Sequence, residues 1–242
     1  MRNMYLKNRL LRTWGLLFCL RRLYLRKLRK IRACQKGTEN DTNSSSIRIF
    51  SVGGKVEADN TRLISLGNLK VQGTDGVTLN NSVARAENTV DSTMLKNTEI
   101  LSSGDIKAHN SIITGTNDVT IKSFNTANAL TGDIILSSDL NSNGQNQSII
   151  SAGNKLSIQG TDTKIDNVGL VYQDLKFYND NTTGTNNVTI ANNTTFTPIT
   201  YESGSKKISR DVNVETNGNL INKSYVVHKF INVLEKFVVD FL

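Results

Sequence analysis

From residue 47 onward the chain runs in short stretches where apolar and polar residues alternate. Gly, Asn, Asp, Ser and Thr separate the stretches. A period of two predicts strands with one buried face, and the small polar residues between them predict turns. The stretches resemble one another. Residues 67–82 read GNLKVQGTDGVTLNNS, residues 104–123 GDIKAHNSIITGTNDVTIKS, and residues 153–167 GNKLSIQGTDTKIDN. Residues 132–138 (GDIILSS), 184–193 (GTNNVTIANN) and 210–222 (RDVNVETNGNLIN) follow the same rule more loosely. The shared unit is a Gly-Asn/Asp turn followed by apolar-x-apolar. The inward pairs it predicts are Leu69/Val71, Val77/Leu79, Ile106/Ala108, Val119/Ile121, Ile134/Leu136, Leu156/Ile158, Val188/Ile190 and Val212/Val214.

No unit of this size can bury its apolar pair alone. Stacked at the strand spacing of about 4.8 Å, each gains a neighbour above and below, and a narrow continuous core results. The expected fold is all-β, a right-handed parallel β-helix over 47–222, with Gly at positive-φ corners and Asn and Thr laddering between coils. Coils of about 20–25 residues would give about eight turns and a rod of about 40 Å. A β-sandwich is the alternative, since strands every 8–12 residues or so also suit it.

Composition favours the solenoid. Between Ser51 and Val171 the only aromatic is Phe124, so the core there must be layers of Ile, Leu and Val. Asparagine occurs 30 times and proline once, at Pro198. Both cysteines, Cys19 and Cys34, precede the repeats, so the repeats contain neither disulfide nor thiol chemistry.

Charge divides the chain. Residues 1–36 hold twelve Lys/Arg and no Asp or Glu, while all 21 Asp/Glu and the other seventeen Lys/Arg follow. Within 1–36, Leu6, Leu10, Trp14, Leu17, Leu20, Tyr24, Leu28 and Ile31 recur at steps of three or four. That spacing predicts a basic amphipathic helix. Such a helix suits an anionic membrane, with Trp14, Leu17, Arg21, Arg22, Arg26 and Lys27 as the expected contacts. Nucleic acid is the weaker reading, because no stacking aromatics or recognised module accompany the charge. A secretory signal fits poorly, since the apolar run Trp14–Leu20 leads into Arg21-Arg22 instead of a cleavage site. The run is also shorter than the roughly 20 apolar residues that span a bilayer. A further reading makes this head an upstream junction or a mis-assigned start.

Residues 37–46 read as a polar linker. In 223–242, Val227, Phe230, Ile231, Leu234, Phe237, Val238 and Phe241 have helical spacing, and Ser224 stands as a cap. The expectation is an amphipathic helix closing the open end of the solenoid.

Little in the sequence suggests catalysis. His109 and His228 share no metal-ligand spacing with each other or with a cysteine. Asp75, Asp105, Asp118, Asp133 and Asp162 sit in the turn motif itself, where turn chemistry accounts for them. The expectation is a protein that is not an enzyme, with no cofactor, no metal and no small-molecule substrate.

The units at 67–82, 104–123 and 153–167 resemble the repeats of filamentous haemagglutinin-like exoproteins, the large secreted partners of bacterial two-partner secretion, a group that includes contact-dependent inhibition proteins. The resemblance covers about residues 63–167 well and 184–222 weakly; it leaves out the head and the C-terminus. It implies a right-handed β-helix, export to the bacterial surface or medium, and a role as an adhesive filament or stalk. The implied partner is a host-cell or neighbouring-cell surface, glycan or protein. The chain departs from the family in lacking a clear signal peptide and an amino-terminal secretion domain, which suggests a fragment or a non-exported remnant. A membrane-associated protein held by its basic head is the other expectation.

Overall fold

The computed structural model describes residues 16–20, 23–26, 31–33, 46–87, 94–125, 127, 129–179, 186–199, 201–203, 206–208, 212–224 and 231–233. These residues are all-β and form three parallel sheets of nine, eight and seven strands. As far as Thr195–Pro198 every third strand in the sequence belongs to the same sheet, so the chain visits the three faces in turn and returns one strand higher. That is the winding of a parallel β-helix. Face 1 runs through Leu16–Leu20, Ile47–Ser51, Leu69–Gly73, Thr98–Ser102, Val119–Ser123, Lys155–Gln159, Asp174–Asn179, Val212–Thr216 and Ile231–Val233. Its eight inter-strand steps give a rod of about 38 Å. Only seven of its strands fall within 47–222, about 29 Å and one coil short of the length expected from the repeats. The only described antiparallel strand pair is a small hairpin, Tyr201–Ser203 with Lys206–Ile208, so a Greek-key sandwich does not describe this chain.

All eight predicted inward pairs are buried. They stack in register: on face 1, Ile49, Val71, Ile100, Ile121, Ile158, Phe177 and Val214 form one column through the core. Face 2 stacks Val77, Ile106 and Ile134 in the same way. The third face contributes a narrower column, Leu63, Ala84, Ile113, Ile150, Leu170 and Phe196. The repeat motif serves two different faces. GNLKV lies on face 1 and GDIKA on face 2.

The three corners solve the backbone hydrogen-bond problem differently. Before face 1, a side-chain oxygen on each coil accepts the N–H of the next. Ser46 Oγ takes Asn68 N, Asn68 Oδ1 takes Asn97 N, Asn97 Oδ1 takes Asp118 N, and Asp118 Oδ1 takes Lys155 N. The steps span 22, 29, 21 and 37 residues. The two long coils exceed the expected repeat because they carry insertions. Between faces 1 and 2, Asp105, Asp133, Asp162 and Asn187 ladder in the same manner, which confirms the turn role read for those aspartates.

The corner between faces 2 and 3 corrects an expectation. Asparagine, more than glycine, supplies its positive φ, at Asn60, Asn81, Asn110, Asn167 and Asn192. Asparagine tolerates the left-handed region better than other side chains with a Cβ. At this corner lies a buried column of Thr61, Ser82, Ser111, Ser148 and Thr194. Thr61, Ser82 and Ser111 directly follow a bend asparagine, Thr194 nearly so, and Ser148 follows the insertion 138–147. Ser82 Oγ accepts Thr61 N at 3.1 Å and donates to Asn80 O at 2.7 Å. Ser111, Ser148 and Thr194 do the same, each accepting a backbone N–H from the coil below and donating to a carbonyl of its own coil. Ser82→Ala would leave Thr61 N without its acceptor, and a loss of about 1–3 kcal/mol in unfolding free energy is expected in urea denaturation.

The two terminal helices are not what the described residues show. Within the segment expected to be helical, 1–36, the described pieces Leu16–Leu20, Leu23–Arg26 and Ile31–Ala33 are strands. They pair with Ile47–Ser51, Lys55–Asp59 and Arg62–Ser65 respectively. The rest of 1–36 lies outside the described residues, as does the linker 37–46 except Ser46. In 223–242, Lys223 and Ser224 end the strand Leu220–Ser224, and Ile231–Val233 pairs with face 1. The other residues read as helical there, with His228, lie outside the described residues. Short apolar runs fit both periods. A free sheet edge one strand-spacing away offers such a run a full set of backbone partners, which an isolated helical turn lacks.

Candidate binding faces

In each strand the residues between inward pairs point outward, and parallel stacking lines them up along the rod. On face 1, Arg48, Lys70, Glu99 and Thr120 form one outward row, and Phe50, Gln72, Leu101 and Lys122 the next, with Leu101 covered. Against the first of these rows lies an open groove of about 520 Å³. It is lined by Arg48, Phe50, Asn68, Lys70, Gln72, Asn97 and Glu99, together with Ser46, Ile47 and Leu69. Lys70 Nζ meets Glu99 Oε2 at 3.1 Å, with both side chains more than a third exposed, so the pair adds little stability. Arg48 is exposed and has no carboxylate within ion-pairing distance among the described residues.

The ladder fixes the orientation of the groove amides. A backbone N–H can only donate, so Asn68 and Asn97 must turn Oδ1 toward the next coil. Their NH₂ groups are left with no acceptor among the described residues, and so is that of Gln72. The groove is therefore rich in donors.

Face 3 carries a different groove, lined by Gly144, Gln145, Asn146, Ile149, Gly169, Val171, Asn193, Thr195 and Thr197, with no ionisable group. The insertion 138–147 forms one wall, and Asn146 Nδ2 donates to Asn193 O at 2.8 Å.

On face 2 a polar cluster ties down the start of that insertion. His109 lies 3.0 Å from Ser137 Oγ through Nδ1 and 3.3 Å from Asp139 Oδ2 through Nε2. Asn110 donates to Asp139 Oδ2 at 2.9 Å and accepts Asp139 N at 2.8 Å. The Asn110 amide first, and then the positive charge His109 can carry, hold the Asp139 carboxyl below its ordinary value of 3.8. A depressed carboxyl pKa stabilises the fold above the unfolded value, and the contribution is lost as pH falls through the folded one. Amides of 138–147 are therefore expected to exchange faster in Asp139→Asn than in the native chain at neutral pH. The two should converge as pH drops below 3.8. On the buried side, Tyr172 has its hydroxyl pKa pushed up to about 12 by burial.

Of the membrane contacts expected from the sequence, Trp14, Arg21, Arg22 and Lys27 lie outside the described residues. Leu17 is in the face-1 strand paired with Arg48, and Arg26 in the face-2 strand paired with Asp59. Among the described residues no helix is long and apolar enough to cross a membrane, and no three His, Cys, Asp or Glu side chains gather as a metal ion would require. The sequence reading missed the groove residues Arg48, Phe50, Asn68, Lys70, Asn97 and Glu99. Alternation around Ile47 and Ile49 was the available signal for Arg48 and Phe50. Comparison with protein-family models, with curated proteins and with solved structures gave no match.

Proposed function

We propose that this chain is a structural, adhesive segment of a haemagglutinin-like bacterial surface or secreted protein, wound as a right-handed β-helix and binding through its long faces without catalysis. One observation carries the reading: residues distant in the sequence stand in register along flat outward rows. Such an array presents a repeated surface in place of a single enclosed pocket. The units that resemble exoprotein repeats coincide with the strands and corners of the coil. The right hand follows from the strong general preference of parallel crossovers. The implied partner is a host-cell or neighbouring-cell surface.

Protease shaving of intact source cells, probed with an antibody against residues 60–220, tests this reading. Loss of the body while a cytosolic marker survives is expected. Protection until lysis would refute display and leave a non-exported remnant.

The charge asymmetry of the head supports a second reading, association with an anionic membrane through residues 1–36. Sedimentation with anionic vesicles, released by salt, would favour it over display.

A further inference from the structure

We propose that the groove on face 1 binds a carboxylated glycan, with the carboxylate against Arg48 and a sugar ring against Phe50. This rests on the extended-face reading and names the ligand class for one of those faces.

Four features of the groove point to that chemistry. Arg48 is a planar, permanently charged fork suited to bidentate pairing with a carboxylate, and no described carboxylate occupies it. Lys70 beside it is paired with Glu99 at 3.1 Å, so Arg48 is the uncompensated charge of the groove and Lys70 adds ammonium donors. At the corner, the amides of Asn68 and Asn97 line the groove one coil apart, their oxygens taken by Asn97 N and Asp118 N and their NH₂ groups without an acceptor among the described residues. Those donors recur at the coil spacing of about 4.8 Å, which suits a polymer of hydroxyl- and carboxylate-bearing units. Among the described residues Phe50 supplies the one aromatic surface in the groove, a place for the apolar face of a sugar ring. An acidic peptide would use the cations and leave the ring without a role. The uncharged groove on face 3 has none of this complementarity.

The test is calorimetric titration of the full chain with hexagalacturonate, neutral cellohexaose and a glutamate hexapeptide. Binding of hexagalacturonate is expected, with neither of the other two approaching it. Arg48→Gln and Phe50→Leu should each weaken it about tenfold, the loss of one charged hydrogen-bonding pair or one stacking surface. Native-like circular dichroism of both variants shows that the coil survives.

Absence of hexagalacturonate binding overturns the proposal. So does equal binding of the glutamate peptide, which would mean that charge alone is read. Binding unchanged by Arg48→Gln would assign the ligand to the twelve cations of residues 1–36 and also overturn it. None of these results bears on surface display, which the shaving experiment decides separately.

Discussion

Phe177→Ala is expected to lower the unfolding free energy by about 4 kcal/mol, the range measured when a large aromatic is removed from a core that cannot close. Phe177 is fully buried and stands in the face-1 column between Ile158 and Val214. Collapse around the cavity is blocked because strand hydrogen bonds hold the coils above and below at fixed spacing. The adjacent Tyr178 points outward, so Tyr178→Ala should cost less than about 1 kcal/mol. Urea denaturation followed by circular dichroism reads both. Equal costs would mean that the strand is slipped by one residue, since a single step exchanges the two faces.

Gly153→Ala should be nearly as damaging, at about 3 kcal/mol, through overpacking of backbone against backbone. A Cβ at this position would lie within 2.1 Å of Thr116 O and 2.9 Å of Thr116 C, on the coil below. The Gly153 amide is itself bonded to Gly115 O at 3.0 Å, so the two coils cannot part locally without losing that bond. Two other glycines calibrate the result. Gly144 has open space around it but a φ of +72°, so alanine there should cost only about 1 kcal/mol. At Gly169 the nearest atom is 3.5 Å away and the backbone is ordinary, so Gly169→Ala should be close to neutral. Thermal unfolding of the three variants should rank them in that order.

Much of the coil was legible in the sequence because its core obeys a period of two. Leu69/Val71 and Val119/Ile121 could be assigned inward from alternation alone, and both pairs are buried. What could not be read was which face a unit occupies. The corner residues are Gly, Asn, Asp and Ser at all three bends, so GNLKV and GDIKA look alike and yet lie on different faces. The third face was missed because its strands are short and turn few large aliphatics inward, only Ala84 and Ala86 in Val83–Ala86 and only Ile113 beside Gly115 in Ile112–Gly115. Asparagine at positive φ was misassigned to glycine because both satisfy the same bend, and only asparagine also bonds to the next coil. The groove on face 1 was hidden for a different reason. It assembles Arg48, Lys70, Asn97 and Glu99, and their neighbourhood depends on coil lengths of 22 and 29 residues that no local pattern reveals.

That in-register stacking is the central claim, since the extended faces exist only if it holds. It can be measured directly by pulsed electron–electron distance spectroscopy on a chain with Cys19 and Cys34 replaced by serine and spin labels at paired outward positions. Arg48 and Lys176 belong to one row, joined through Lys70, Glu99, Thr120 and Ser157. Their backbones should stand about 24 Å apart, and those of Lys70 and Lys176 one coil less, about 19 Å. Narrow distributions differing by that single step are the predicted result. Broad distributions, or two distances unrelated by one strand spacing, would contradict the stacked coil.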